Sequence, residues 1–345
     1  MRQLSYAEAI REAHQQLLAD DPRVFVFGQG LWSPWYVGGS MSNLEDEFGR
    51  DRIIDCPVSE NATTGAAVGA ALSGMRPIVV HPRMDFMALA LDPIINQASN
   101  WSYMFAGQIG VPIVIRAIIN RGGEQGAQHS QALQAFFLHV PGIKVVMPAT
   151  PEDAKGLLVA AVQDGNPVMY IDDRWLYESQ GHVPQEKYAT PLGQAAVRRR
   201  GRDVTVVASS YMVPLALEAA EILEAEAIQV EVLDLRTIKP WDKEAVAESA
   251  ANTGRLVVAD GGWATGGVAS EIVAVTVAKV FHRLRAAPIR VCLPDAPAPT
   301  SRSLERVYYP NARTIAEAAR AAMIDGARPL NPCPTVELPG QIVYH

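Results

Sequence analysis

The chain has 345 residues, of which 49% are apolar and 19% charged, and its formal charge is −7. Since one domain usually spans ~100–200 residues, this length predicts two domains. The negative charge and the scattered basic residues argue against a nucleic-acid surface. The polar beginning of the chain suggests neither a signal peptide nor a membrane span, which predicts a cytoplasmic protein. Three widely spaced cysteines fit a reducing compartment and offer no zinc template: Cys56, Cys292 and Cys333.

Short β-branched and apolar runs alternate with helical stretches in the first half of the chain. Residues 5–18 predict an amphipathic helix, because Ser5 and Glu8 stand at capping-box spacing and Ile10, Ala13 and Leu17 lie on one face. The strand candidates, each flanked by glycine, proline or polar residues, are 24–27, 53–55, 77–80, 111–115, 144–147 and 168–171. Apolar strands separated by helices are typical of a mostly parallel sheet, so the predicted fold class is α/β.

A second α/β series follows a polar segment. Its predicted strands are 204–208, 229–234, 256–259 and 289–292, and its predicted helices are 213–223, 243–251 and 268–284. We therefore expect a first domain over residues 1–185, a linker over 186–199 and a smaller second domain over 200–325. Residues 326–345 are rich in proline and predict an irregular tail, which is either an ordinary exposed end or an arm that binds a partner.

The most informative stretch is residues 53–74, where a short strand leads to Glu60 and to a helix made largely of alanine and glycine. Small residues let a helix pack very close to another backbone or to a ligand. A carboxylate between a parallel strand and the next helix lies at the edge where α/β proteins bind ligands. Glu60 is therefore a candidate site residue, although a helix-start carboxylate favoured by the helix dipole explains the same pattern.

A second candidate stretch is the glycine-rich loop over residues 122–131, which carries His129 and follows an apolar strand. Loops at strand ends commonly hold catalytic groups, but a lone loop histidine also fits a structural or solvent-exposed role. The loop lacks the G-x-x-x-x-G-K-[ST] pattern that binds phosphates. The first strand–helix turn lacks the G-x-G-x-x-G fingerprint, so a nicotinamide-binding fold has little support.

Several long segments carry a resemblance to a known family over roughly residues 4–325. In chain order they are DCPVSENATTGAAVGAALSGMRPIVV, MDF, INQASN, GAQHSQ, HVPGIKVVMPATPEDAKGLL and DLRTIKP. Together they closely resemble the β subunits of pyruvate, branched-chain and acetoin dehydrogenase first components, which are transketolase-like and use thiamine diphosphate. The resemblance implies a pyrimidine-binding domain followed by a transketolase C-terminal domain. It also implies an enzyme that decarboxylates a 2-oxo acid and transfers the acyl group to a lipoyl carrier.

The resemblance implies roles for single residues. Glu60 matches the glutamate that hydrogen-bonds the aminopyrimidine ring of the cofactor and activates it. Phe86 matches an aromatic residue that packs against that ring, although Phe86 also fits a plain core position. His129 matches a histidine that assists acyl transfer, either as a proton donor or as an anchor.

The resemblance further implies metals and partners. A potassium ion would be held by Ile113, Ala161, Val162, Asp164 and Asn166, mostly through backbone carbonyls. An ordinary turn explains the D-G-N sequence in this segment equally well. The G-D-G motif that would hold Mg²⁺ on the diphosphate occurs nowhere in the chain. We therefore expect an α subunit to supply the magnesium half of the site, in an α₂β₂ heterotetramer, with a lipoyl acyltransferase or another acyl carrier as a further partner.

Three positions depart from the family pattern. Gln29 stands where a glutamate is usual, Gly261 replaces an acidic residue, and His81 occupies a position that is often glutamate. Gln29 is still expected to lie at the cofactor, but its amide cannot relay protons. These departures leave two alternatives open. One is transfer of a ketol or acyl unit from a ketose phosphate or acetoin to another acceptor, such as a carrier protein. The other is a noncatalytic subunit that only buttresses its α partner.

Overall fold

The computed structural model describes residues 2–326 of the chain. Its strands are β1 (Gln3–Ser5), β2 (Val24–Gly28), β3 (Ile53–Asp55), β4 (Arg76–His81), β5 (Val114–Ile119), β6 (Lys144–Val146), β7 (Val168–Asp173), β8 (Gln180–His182), β9 (Ala196–Arg199), β10 (Val204–Ala208), β11 (Val230–Asp234), β12 (Thr237–Lys239), β13 (Leu256–Trp263) and β14 (Ile289–Leu293). Its α-helices are α1 (Tyr6–Asp20), α2 (Leu44–Phe48), α3 (Glu60–Leu72), α4 (Met84–Met87), α5 (Trp101–Met104), α6 (Gln134–His139), α7 (Pro151–Gln163), α8 (Met212–Glu224), α9 (Lys243–Thr253), α10 (Val268–Val280), α11 (Arg302–Tyr308) and α12 (Ala312–Ala322). The tail predicted over 326–345 lies, apart from Gly326, outside the described residues.

Seven strands form the first sheet, in the order β12-β6-β7-β5-β4-β2-β3. Every neighbouring pair is parallel except β12 with β6, so the predicted α/β class with a mostly parallel sheet is confirmed. Strand β5 begins at Val114, later than the predicted start at residue 111. Pro112 has no N–H to donate, and the Ile113 N–H turns back to the Val111 carbonyl. The ladder with the neighbouring strands therefore starts only after these residues.

Five strands form the second sheet, in the order β14-β13-β10-β11-β9, with β9 as an antiparallel edge strand. Strand β9 lies inside residues 186–199, which the sequence suggested as a linker, so that segment ends in sheet structure. Strand β12 follows β11 in the chain but pairs with β6 of the first sheet. The second half of the chain thus contributes to both of these sheets, while β1 and β8 pair in a separate two-stranded sheet. The domain boundaries inferred from the sequence remain predictions.

Local sequence signals explain where several helices begin. Ser5 caps α1 and forms a capping box with Glu8, as predicted. Helices α11 and α12 are absent from the predicted elements, although Asn311 and Thr314 form a second capping box at the start of α12. Among the described residues, no helix is long and apolar enough to cross a membrane. The cytoplasmic location remains a prediction.

A buried ion pair joins the central strands β5 and β7. Arg116 pairs with Asp172 at 2.8 Å, and both side chains are fully buried. The same guanidinium donates to Ser40 Oγ at 2.7 Å and to the Tyr177 hydroxyl at 3.0 Å. Removing one partner of such a pair costs ~3–5 kcal/mol, because the other charge stays uncompensated. The pair therefore holds together β5, which leads into the glycine-rich loop, and β7, which ends at Asp173.

Candidate functional site

Glu60 lies where strand β3 leads into helix α3. It is the first residue of α3 and is only 4% exposed. A carboxylate at a helix N-terminus faces the positive end of the helix dipole, which stabilises its negative charge. Gln29 follows the neighbouring strand β2, and its Nε2 donates a hydrogen bond of 3.0 Å to Glu60 Oε1. Two of the residues expected at the cofactor are therefore in direct contact.

Strand pairing explains this contact. Strands β2 and β3 are parallel with Gly28 opposite Asp55, so both strands end at the same level of the sheet. The Gly30 N–H then donates a hydrogen bond of 2.7 Å to Asp55 Oδ1. This bond holds the two segments that follow the strands side by side. The Gln29 amide consequently faces the Glu60 carboxylate.

His81, the last residue of β4, is buried beside helix α3. Its Nε2 lies 3.1 Å from Thr64 Oγ1, one turn of the helix beyond Glu60. Burial lowers the pKa of His81 to about 4, so its imidazole is neutral at pH 7. This position therefore carries an uncharged side chain that anchors α3.

Phe86 and His129 form a second pair of candidate residues. Their rings meet edge to face with centroids 5.2 Å apart, an arrangement that aromatic rings favour. Phe86 belongs to the short helix α4 and is 38% exposed, so part of its ring is open to a ligand. Next to it, the buried Asp85 accepts a hydrogen bond of 3.0 Å from the Gln131 N–H. This bond ties α4 to the loop that carries His129.

The four candidate residues follow the carboxyl ends of four adjacent strands. Gln29 follows β2, Glu60 follows β3, Phe86 follows β4 and His129 follows β5. These strands are neighbours in the first sheet, in the order β5-β4-β2-β3. Ligands of open α/β sheets bind outside this edge. The fold therefore gathers at one edge the residues that were singled out at four distant places in the sequence.

Comparisons with known proteins cover nearly the whole chain. Residues 2–179 match the family model of the transketolase pyrimidine binding domain, and residues 193–315 match that of the transketolase C-terminal domain. The β subunit of acetoin:2,6-dichlorophenolindophenol oxidoreductase from Cupriavidus necator is 43% identical over 339 residues, covering 94% of this chain and 99% of that protein. The pyruvate dehydrogenase E1 component subunit beta of Rickettsia felis is 39% identical over 318 residues, covering 92% of this chain and 98% of that protein.

The chain belongs to the β subunits of the thiamine-diphosphate-dependent 2-oxo acid dehydrogenases. The resemblance seen in the sequence is thereby confirmed. As a β subunit, the protein works with an α subunit, and its family implies thiamine diphosphate as the cofactor. A solved structure titled split gene transketolase, inactive beta4 tetramer, has the same fold, with a TM-score of 0.73 and 24% identity over 93% of this chain and 98% of that chain.

Sequence reasoning missed Arg121, which connects the two halves of this β subunit. Arg121 forms a buried ion pair with Asp173 at 2.7 Å and donates to the Gly261 carbonyl at 2.9 Å. A Cβ on Gly261 would lie 2.5 Å from the guanidinium, so the glycine leaves room for Arg121 in this position. A second link joins Gln134 Nε2 to the buried Asp260 at 2.8 Å. The only sequence signal for this contact region was the unusual glycine itself.

The residues expected to hold potassium come from two segments that the fold places together. The Ile113 carbonyl accepts a hydrogen bond of 3.0 Å from the Val168 N–H, just after the second segment. Asp164 follows the last turn of α7, the negative end of its dipole, and pairs with Lys144 at 2.9 Å. The Val162 carbonyl, also expected as a ligand, accepts a hydrogen bond of 2.6 Å from the Arg76 guanidinium instead. With Asp164 already balanced by a lysine, the remaining oxygen ligands would suit a monovalent rather than a divalent cation. Within residues 2–326, no group of three or more His, Cys, Asp or Glu side chains could hold a metal.

The neutral, buried His81 gives this β subunit a specific sensitivity to acid. An unfolded histidine takes up a proton as the pH falls below its ordinary pKa of 6.5, whereas the folded His81 stays neutral until about pH 4. The folded state therefore loses stability between these two values. Between pH 7 and pH 4 we expect wild type to lose up to ~3 kcal/mol more stability than His81→Gln, whose amide can still bond Thr64. Urea unfolding at a series of pH values measures this difference, and parallel stability curves would contradict the assignment.

Proposed function

We propose that this β subunit, assembled with its α partner, decarboxylates a 2-oxo acid and transfers the acyl group to a lipoyl carrier. The observation that carries the proposal is the buried Glu60 at the start of α3, in contact with Gln29 and at the same sheet edge as Phe86 and His129. When bound, thiamine diphosphate supplies the carbon nucleophile that adds to the 2-oxo group. The residues of this chain bind and orient the pyrimidine half of the cofactor.

Glu60 has the position and chemistry needed to hold a proton on the aminopyrimidine ring. Its carboxylate is buried, so water competes little for the hydrogen bond to a ring nitrogen. Gln29 engages Oε1, and we therefore assign the contact with the ring to Oε2. A noncatalytic buttressing subunit would have no need of a buried carboxylate at this place. Burying an ionisable group carries a desolvation cost. A role at the cofactor would account for that cost.

Phe86 and His129 would act on the other side of this ring. The exposed part of the Phe86 ring offers a flat apolar surface on which an aromatic ring can pack, worth ~0.5–1.5 kcal/mol beyond burial. The His129 ring stands perpendicular to the Phe86 ring and in contact with it, so it would lie beside the cofactor rather than far out in solvent. From there its imidazole can donate a proton or anchor the acceptor while the acyl group is transferred.

The α partner would complete the site in an α₂β₂ assembly. The chain has no G-D-G motif, so the Mg²⁺ that neutralises the diphosphate would be held by the α subunit. Helix α3 offers a surface suited to close packing, because its exposed face is made of small residues: Asn61, Ala62, Gly65, Ala66 and Gly69. Cβ atoms added at Gly65 and Gly69 would meet nothing within 4 Å, so another backbone can approach this face closely.

The decisive variant is Glu60→Gln in the reconstituted α/β complex. The amide keeps the size of the side chain but cannot share an ionisable proton with the ring nitrogen. We expect exchange of the cofactor C2 proton and turnover of 2-oxo acids to fall at least a hundredfold, within the ~10²–10⁴ range typical of acid–base groups. Glu248→Gln, an exposed position on α9, is the matched control. Full activity of Glu60→Gln would overturn the proposed mechanism.

Gln29 favours a second candidate function, in which the acyl or ketol unit goes to a different acceptor such as a carrier protein. The amide donates to Glu60, whereas the glutamate usual at this position would be a second carboxylate at hydrogen-bond distance. Two carboxylates this close share one proton, which is lost as the pH rises. We therefore expect Gln29→Glu to lose activity with rising pH in a range where wild type does not. Rate profiles over pH with lipoyl and carrier-protein acceptors measure this, and superimposable profiles would refute it.

We also propose a monovalent cation, potassium, at the end of helix α7. The support comes from the carbonyl dipoles at this helix C-terminus, the adjacent Asp164 and the neighbouring Ile113 backbone. Replacing potassium by choline should lower the melting temperature of wild type by a few degrees, since a bound ion stabilises only the folded state. Asp164→Asn should reduce that difference. A melting temperature that does not depend on the cation in either protein would contradict the proposed site.

A further inference from the structure

The loop that carries His129 is held from the far half of the chain. It follows β5 and includes Glu124, whose φ of +65° lies in the left-handed region that non-glycine residues rarely adopt. The Glu124 N–H donates a hydrogen bond of 3.1 Å to Glu305 Oε1. Glu305 belongs to helix α11 and is only 8% exposed, although it lies 181 residues further along the chain. A buried carboxylate thus stabilises an otherwise unfavourable backbone conformation next to the site.

Further contacts press the same two segments together. Thr300, just before α11, lies against Gly126, where a Cβ would come within 2.6 Å of the Thr300 hydroxyl. Arg302 forms an ion pair of 3.6 Å with the Glu124 side chain, and both groups are more than half exposed. Exposed pairs contribute little to stability, whereas hydrogen bonds to a buried charged group are stronger. Glu305 is therefore the dominant polar contact from α11.

Aromatic packing supports the base of the loop. Tyr309, directly after α11, packs its ring against Trp175 with centroids 5.1 Å apart. Trp175 in turn lies so close to Gly122 that a Cβ there would come within 2.7 Å of the indole ring. Tyr309 therefore supports the start of the loop through Trp175.

The other end of the loop is held from the site itself. Gln131 donates its N–H to Asp85 Oδ1, and Asp85 precedes Phe86. Burial raises the pKa of Asp85, and the nearby His129 is one of the groups that oppose this rise. The loop that carries His129 is thus held on one side of the histidine by Asp85 of α4 and on the other by Glu305 of α11.

We propose that Glu305 is a positioning residue for His129, acting through the Glu124 backbone to fix where the imidazole stands beside Phe86. This inference rests on the proposed role of His129 in acyl transfer. Helix α11 sets the loop conformation, and the loop sets the distance from His129 to the reacting group. Misplacing a catalytic group by ~1 Å costs about a hundredfold in rate.

The experiment uses the reconstituted α/β complex and follows two steps separately. Glu305→Ala removes the acceptor of the Glu124 N–H, whereas Glu305→Gln keeps an oxygen acceptor and should rescue. We expect Glu305→Ala to lower the kcat for acyl transfer at least tenfold, with decarboxylation itself changed less than twofold. Should the alanine variant fail to fold, Glu305→Asp, which shortens the side chain by one methylene, tests the same contact. Arg302→Ala is the matched control and should stay within twofold of wild type.

A double variant tells positioning from general damage. If Glu305 acts through His129, then Glu305→Ala adds nothing to the defect of His129→Ala, because the group it positions is already gone. Additive losses would overturn the inference.

Amide hydrogen exchange of the peptide covering residues 122–131 gives a readout independent of turnover. It should speed up at least tenfold in Glu305→Ala, and unchanged exchange would also overturn the inference. If His129→Ala alone leaves acyl transfer intact, the proposed role of His129 fails instead, while the exchange result still tests the contact.

Discussion

The parallel pairing of β2, β3, β4 and β5 is the constraint on which the candidate site depends. Parallel strands carry their chain direction in common, so the residues that follow them emerge at one edge of the sheet. Gln29, Glu60, Phe86 and His129 each follow one of these strands, although up to 100 positions separate them in the sequence. The Gln29–Glu60 hydrogen bond and the contact between the Phe86 and His129 rings are consequences of this arrangement.

Most of the regular elements could be predicted from local signals. The capping box at Ser5 and the apolar runs that became β2, β3 and β10 are encoded within a few neighbouring residues. The start of β5 was misplaced because the hydrophobic pattern does not register that Pro112 lacks a ladder donor. Short-range patterns also cannot reveal which sheet a strand joins, and β12 is the example.

The residues of the candidate site also divide into those that the sequence reveals and those that only the fold reveals. Glu60 and His129 stood out because their neighbouring segments resemble a family in order and in detail. Arg121 did not, because its partners Asp173 and Gly261 are distant in sequence and meet only in the folded chain. Glu305 was hidden for the same reason, since its contact with Glu124 spans the two halves of the molecule. Sequence reasoning thus identified the groups at the edge of the sheet but not the residues that hold them in place through contacts distant in sequence.

Strand β12 has a consequence for how the chain folds during its synthesis. It lies after β11 in the chain but forms the outer strand of the first sheet, beside β6. A ribosome must therefore release the chain past Lys239 before the first sheet can be completed. Until then β6 presents an unpaired edge, the kind of surface on which strands of other chains can add. The first sheet, whose edge carries Glu60 and His129, therefore stays incomplete until a short segment that is synthesised much later has emerged.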